Sequence, residues 1–334
     1  MGALKVAITI IIVLGMFAAA VTIGSANIPI FDVLRVLTYR GIGLGDITDI
    51  GAIRANIIWD IRLPRAIVAF VVGGALSVSG AIMQSILRNP LASSFTLGVS
   101  SGASLGAVVV MFMGGTMLVG ASFATGMATI VLVLIMAKKI SGGIDNHTVI
   151  LVGMVMSLFI NAITTLIMAL ERESAQRLVF WQMGSFSNLG WAPMGVLVPV
   201  AVIGLALGLF YHRELDILTF GEQEAQLVGV NITRAKWVLL AIAAALTGSA
   251  IAFVGIIGFV DLVAPHIVRR VFGNRHRAIL PLSALLGGAF MLVCDLIART
   301  VVTPGELPVG VVSALVGAPF FAYVFFAKRG RGHA

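Results

Sequence analysis

Residues 61–68 read IRLPRAIV, and they open onto the uncharged run AIVAFVVGGALSVSGAIM at 66–83. That run is close to the roughly 20 apolar residues a membrane-spanning helix needs. Pro64 falls where a first helical turn tolerates it, because the N–H it lacks would have no helical partner there. The stretch therefore reads as the entry of a spanning helix, with Arg62 and Arg65 held at its mouth as charges suited to forked pairing with carboxylates. Anchoring to lipid headgroups is the other use such arginines have.

Composition extends this reading to the whole chain. Of 334 residues 59% are hydrophobic and 11% charged, with a mean hydropathy of +1.09. A water-soluble globule cannot hide that much apolar surface. In lipid only helices or closed barrels satisfy every backbone polar group. The ~10-residue alternating segments of a barrel are missing, so the fold class is all-α, a polytopic membrane protein. The apolar runs predict about ten transmembrane helices, near 4–24, 66–87, 95–113, 116–137, 148–170, 191–212, 236–254, 256–269, 278–298 and 309–327. Run 4–24 has the weak basic start and Ala-rich end of a signal peptide, but it is long for a cleaved apolar region and reads as the first span. A single transmembrane domain over 1–334 is expected, with an outer loop at 25–61 and an inner loop at 213–236.

Basic residues orient the chain. Of the 22 Lys and Arg, 14 fall on the side of the N-terminus, among them Lys5, Lys138, Lys139, Lys236, Arg269, Arg270, Lys328, Arg329 and Arg331. The other side holds Arg35, Arg40, Arg54, Arg62, Arg65, Arg172, Arg177 and Arg299. The positive-inside rule then predicts both termini in the cytoplasm. Most outer arginines are diluted by acids at Asp32, Asp46, Asp49 and Asp60, or at Glu171 and Glu173. Arg62, Arg65 and Arg299 stand apart at helix mouths. Trp59, Trp181 and Trp191 at outer ends and Trp237 at an inner end fit interfacial positions.

Several function classes drop out. The pI near 10.4 comes from basic residues scattered through short loops, with no nucleic-acid reader domain. Cys294, the one cysteine, allows no disulfide or thiolate metal site within the chain. Asp261 and Asp295 read as lying near outer ends of spans, which leaves mid-depth without the ionisable relay of an ion-coupled carrier. No H-E-x-x-H, G-x-S-x-G or paired-Asp motif occurs, so no catalytic or metal-binding residue is expected, and His266 reads as structural. There is no G-x-x-x-x-G-K-[ST] phosphate loop, so ATP-driven transport requires an ATPase on another chain. The segment RELDILTFGEQEAQLVGVNITRAKW (213–237) could receive it. Thr219 to Glu222 has capping-box form, and Gly229 suits a helix stop. A short helix at about 220–228 is predicted, with a second helix from near Asn231 or Thr233. A helix–turn–helix between spans fits a plug for a partner's groove; a solvated linker is the plainer alternative.

Six blocks carry a wider likeness: RLPR (62–65), GGALSVSGAIMQ (73–84), RNPLASSFTLGVSSGASLGA (88–107), FWQMGS (180–185), GFVDLVAPHIVRR (258–270) and DLIARTVVTPGELPVGVVSALVGAPFF (295–321). Over nearly the whole chain the sequence resembles the permease subunits of ABC importers for iron-siderophores, haem and vitamin B12. Ser94 departs from that pattern where proline is usual, and Asp261 where glycine is frequent. The resemblance implies two permease subunits (a homo- or heterodimer) around a central pathway in the inner membrane. It places two ATPase subunits carrying ATP and Mg beneath them, and an extracytoplasmic substrate-binding protein above. No cofactor on this chain is implied. By the same resemblance Arg62, Arg65 and Arg299 dock the binding protein. Thr219, Gly221, Glu222, Glu224, Ala225 and Gly229 belong to the ATPase coupling element. Asn89, Leu91, Asn146 and His147 form a cytoplasmic gate, His147 being bulkier than the small polar residue expected there. The form SSFTLGVSSGA looks more like the siderophore branch than the B12 branch. A single-chain secondary transporter is the alternative of another class.

Overall fold

The structure, a computed structural model, describes residues 2–24, 28–170, 172–302 and 305–329. Glu171 and Arg331, noted above, lie outside these residues, as do the side chains of Arg172, Glu173, Lys328 and Arg329. Among the described residues the chain is helical with no strand. In order the helices are α1 (Gly2–Thr22), α2 (Ile30–Ile42), α3 (Ala52–Asn56), α4 (Leu63–Ile86), α5 (Val99–Phe112), α6 (Leu118–Ser141), α7 (Asn146–Leu170) and α8 (Arg172–Gln182). Then follow α9 (Met194–Phe210), α10 (His212–Leu218), α11 (Glu222–Leu227), α12 (Ile232–Val254), α13 (Val260–Phe272), α14 (His276–Thr300) and α15 (Val309–Arg329).

Each of the ten predicted runs falls on a helix, but the helices differ in reach. Among the described residues six are long and apolar enough to cross a membrane, and the pair α9–α10, bent by 60°, makes a seventh if it is counted as one span. The helices α5, with 14 residues, and α13, with 13, are shorter. At 1.5 Å per residue they cover about 20 Å, less than a hydrocarbon core of about 30 Å. Their missing turns are replaced by non-helical backbone at 88–98 and 255–259.

The expected outer loop is largely helical. Helix α2 buries Val33 and Val36 and ends on Gly43 in left-handed geometry. The chain then runs through α3 and a π-helical turn, Ile57–Arg62, directly into α4. Pro64 does stand in the first turn of α4. The chain enters it from a helix rather than a loop, and the wide π turn absorbs the proline's missing N–H. The cap's arginines pair locally, Arg35 with Asp49 at 2.7 Å, Arg54 with Asp32 at 2.9 Å and Arg40 with Asp60 at 3.3 Å.

Helix α4 is the axis of the bundle. It is buried on nearly every face and packs against α9, α12, α13 and α14. Lipid offers no hydrophobic drive for this, so close approach of small residues has to supply it. Gly73 faces Gly287 of α14 so tightly that a Cβ on Gly73 would strike the Gly287 carbonyl. A Cβ on Gly80 would strike the carbonyl of Asp261. That contact, with the 2.9 Å hydrogen bond from Gln84 Nε2 to the same carbonyl, corrects the placing of Asp261. It lies beside the C-terminal third of α4, far from the Arg62 end, because α13 starts deep in the bundle.

Gly73→Val should force α4 and α14 apart. Overpacking a filled interface costs about 1–3 kcal/mol or more, so the thermal midpoint of the purified chain in detergent should drop sharply. The same change at exposed Gly120, which has open space around it, should leave the midpoint near that of the wild type.

Candidate functional site

Non-helical segments converge in the middle of the bundle. The amide of Ser185 donates to Val254 O at 2.9 Å, that of Val309 to Gly184 O at 3.0 Å and that of Gly310 to Met183 O at 3.1 Å. The turn after α8, the end of α12 and the start of α15 are thereby tied together. Segment 88–98 joins through hydroxyls: Ser94 Oγ lies 2.6 Å from Thr247 Oγ1, which lies 2.8 Å from Ser79 Oγ. Four of the blocks that carried the family resemblance thus meet at one place. Between them opens a cavity of about 640 Å³ whose walls include Phe95, Met183, Phe259, Asp261, Val311 and Leu315. Phe259 holds a φ of 69°, a left-handed backbone that costs a side-chain-bearing residue about 1–2 kcal/mol. Asp261 is buried, and its carboxylate faces the backbone amides of Ser94 and Leu262 without a side-chain partner among the described residues. The walls are otherwise mostly apolar.

The arginines at the other end of α4 do not stand outward as point charges. Arg62 is 5% exposed and donates to Val21 O at 3.1 Å and Thr22 O at 2.5 Å. Arg299 is 8% exposed and donates to Ala20 O. Both satisfy the last carbonyls of α1, which no helical N–H can reach, and they complement the negative end of its dipole. Arg65 bridges Asp295 at 2.8 Å and Glu306 at 2.8 Å, with Asp295 also 3.6 Å from Arg299. Burial works to raise the Glu306 carboxyl, but hydrogen bonds from Arg65 and Ser187 hold it below the usual range.

At the opposite end, α11 forms where a short helix was predicted. The capping box does not form: Gly221 is the N-cap, while Thr219 Oγ1 bonds back to Asp216 O. Gly229 ends the helix as expected, at φ 81°, with its amide on Gln226 O and that of Val230 on Ala225 O. Ala225 is buried, and Glu224 is exposed with its carboxylate folded back over Gly221. Asn231 caps α12 by accepting from Arg234 N at 3.0 Å. Phe220, Leu227 and Val228 leave large apolar surfaces exposed around α11.

The four gate residues lie on two separate turns. Asn89 Oδ1 accepts from Leu91 N at 2.9 Å, and Leu91 is exposed. Asn146 is buried at the start of α7, with His147 exposed beside it. The sequence reading passed over what lies against Asn146. Lys236, counted only as a cytoplasmic charge, is fully buried and donates to Asn146 Oδ1 at 2.8 Å and Glu222 Oε1 at 2.7 Å. A second buried chain joins Asp216 to His276 Nδ1 at 2.6 Å and His276 Nε2 to Ser85 at 2.6 Å, with Arg269 on Ser85 at 3.1 Å. The available signal was a lysine and a histidine in the first turns of otherwise apolar helices. His266 packs edge-on against Phe321, 6.3 Å between ring centres.

Comparison with known proteins matches this arrangement. The model of the FecCD transport family fits residues 10–327, and the chain belongs to that family. It is 41% identical to the uncharacterized ABC transporter permease protein YvrB of Bacillus subtilis, over 94% of this chain and 91% of the relative. It is 39% identical to the cobalamin import system permease protein BtuC of Halobacterium salinarum, over 80% of this chain and 73% of that one. A solved structure assigned as a metal-chelate type ABC transporter in an inward-facing conformation superposes with a TM-score of 0.84 at 27% identity, covering 96% of this chain and 97% of that chain. The chain is thus an ABC importer permease, a non-catalytic transport subunit whose ATPase is a separate chain, and not a single-chain secondary carrier.

Asp295 is the shared counter-charge of buried Arg299 and part-buried Arg65, and it is the one carboxylate paired with Arg299 among the described residues, so Asp295→Ala should cost about 3–5 kcal/mol. Glu306, at the rim and 40% exposed, pairs with only one, and Glu306→Ala should cost about 1 kcal/mol or less. Thermal unfolding of both variants in detergent checks this; equal losses would show that the buried pairing does not matter.

Proposed function

We propose that the chain imports a metal chelate, as one of two permease subunits across a bacterial or archaeal inner membrane with both termini in the cytoplasm. All ten apolar segments take part, α5 and α13 as half-crossings completed by the backbone of 88–98 and 255–259. Irregular backbone at membrane depth is tolerated where protein buries it or where it lines a cavity. Discontinuous helices around a central site are a recurring transporter device. The cavity of about 640 Å³ where these breaks meet is the observation that carries the reading, as one wall of the cargo route. Its apolar lining suits a cargo that arrives already chelated, with no metal ligands asked of this chain. The partner for the other wall is a second permease, either another copy or a related chain.

Ferric siderophore is the first candidate cargo, from the SSFTLGVSSGA block. Cobalamin is the second, favoured by the 39% identical cobalamin permease; haem shares the same chelate chemistry. ATP and Mg belong to two ATPase subunits that seat the exposed Phe220, Leu227 and Val228 around α11. The Asn89–Leu91 and Asn146–His147 turns close the route at that end. An extracytoplasmic binding protein docks at the arginine end. There Arg62 and Arg299 hold α1 in place, and Arg65 is the arginine a partner's carboxylate would reach, by competing with Glu306.

The experiment is reconstitution in proteoliposomes with ATPase and binding protein, offering labelled ferric siderophore, haem and cobalamin separately. Uptake should need all components, and the permease alone should hydrolyse no ATP. Proline costs a helix interior about 3 kcal/mol, so Ala225→Pro should abolish uptake while the chain still inserts. Uptake by the permease alone, or normal uptake by Ala225→Pro, would contradict the reading.

A further inference from the structure

Lys236 joins three segments that are far apart in sequence. An ammonium has three N–H donors and no acceptor. Here one goes to the Ile144 carbonyl, one to Asn146 Oδ1 at 2.8 Å and one to Glu222 Oε1 at 2.7 Å. The side chain is 0% exposed, while Glu222 is 37% exposed. The first two acceptors sit on the turn between α6 and α7, the third is the first residue of α11, and Lys236 itself is in the first turns of α12. A buried charge is tolerated only while its partners stay in place. Pulling any one segment away removes a partner of the ammonium, so the contact ties α11, α12 and the start of α7 to one another.

What α7 does with such a movement is also on the page. Its first turn is fixed by Asp145, whose Oδ2 accepts from the Thr148 amide and hydroxyl, both at 2.9 Å. Those bonds cap the start of α7 and satisfy an amide that has no helical partner. Further along, Gly153 presses on Thr96 O and Leu97 Cα, leaving no room for a Cβ. Ser157 Oγ reaches Phe95 O at 3.4 Å. Segment 93–97 in turn carries Ser93 and Phe95 into the cavity wall.

We propose that Lys236 is a positioning residue that carries displacement of α11 through the start of α7 to the 93–97 wall of the cavity. The proposal rests on reading α11 as the contact with an ATPase. It names a physical tie between two elements that family resemblance had left separate, the coupling segment and the Asn146 turn.

The test uses the assembled importer in nanodiscs, with Leu91→Cys as reporter in a Cys294→Ala background. The readout is the labelling rate by a membrane-impermeant maleimide, nucleotide-free against ATP-vanadate-trapped. With Lys236 present the two rates should differ. Lys236→Met is close in volume and removes the charge. It should retain the ATPase on purification yet shrink that difference by about 5-fold or more, the lower end of typical coupling between sites. Glu222→Gln, changed on the partly exposed partner, keeps an oxygen acceptor for the ammonium and removes the counter-charge, and it should shrink the difference in the same direction. A wild-type response in either variant would make Lys236 a static tie and overturn the proposal. A Lys236-containing complex that holds no ATPase, or shows no nucleotide response, would overturn the importer reading beneath it as well.

Discussion

A backbone amide or carbonyl inside lipid has no water to turn to, and leaving one unpaired costs several kcal/mol. Every feature that sets this chain apart from a plain bundle follows from meeting that demand where the helix is interrupted. Helices α5 and α13 each give up part of a crossing. Neighbouring breaks hold one another's backbone: Val254 O accepts from Ser185, Gly184 O from Val309 and Met183 O from Gly310. The hydroxyls of Ser79, Ser94 and Thr247 close the remaining gap. Such an arrangement needs an unusually slim central helix. The glycines of α4 provide it, letting α14 and α13 approach to backbone distance at Gly73 and Gly80. The cavity is what is left beside those breaks.

Charge is handled by the same logic at both ends. At one end Arg62 and Arg299 finish the carbonyls of α1, and Arg65 with Asp295 closes the cluster. At the other, Lys236 and the Asp216–His276–Ser85 chain bind α10 and α11 to the helices behind them. Buried ion pairs contribute little net stability once desolvation is counted, so their value here is fixing which segments move as a unit.

Much of this could be read from residues. Each of the ten apolar runs fell on a helix, Gly229 marked the end of α11, and the RLPR proline marked the start of α4. Three things were out of reach for definite reasons. Depth was one: periodicity says that 258–270 is helical but not that it starts beside Gly80, so Asp261 was placed near the surface when it lies deep in the bundle. Side-chain direction was another, because an arginine at a helix mouth reads the same whether it faces a partner or turns back to cap a neighbour 40 residues earlier, as Arg62 does to Thr22. Long-range pairing was the third. Nothing near Lys236 in sequence announces Asn146, 90 residues away, and the amphipathic helix α2 was masked by the charges around it.

The central claim is that the cavity among the helix breaks faces an aqueous cargo route and not lipid. Val311, on its wall, reports this directly when replaced by cysteine in a Cys294→Ala background. In the assembled importer in nanodiscs, a membrane-impermeant maleimide should label Val311→Cys, at a rate that changes when the ATPase is trapped with ATP and vanadate. Labelling by a lipid-soluble maleimide alone, with no response to nucleotide, would show the cavity open to the bilayer and contradict the account.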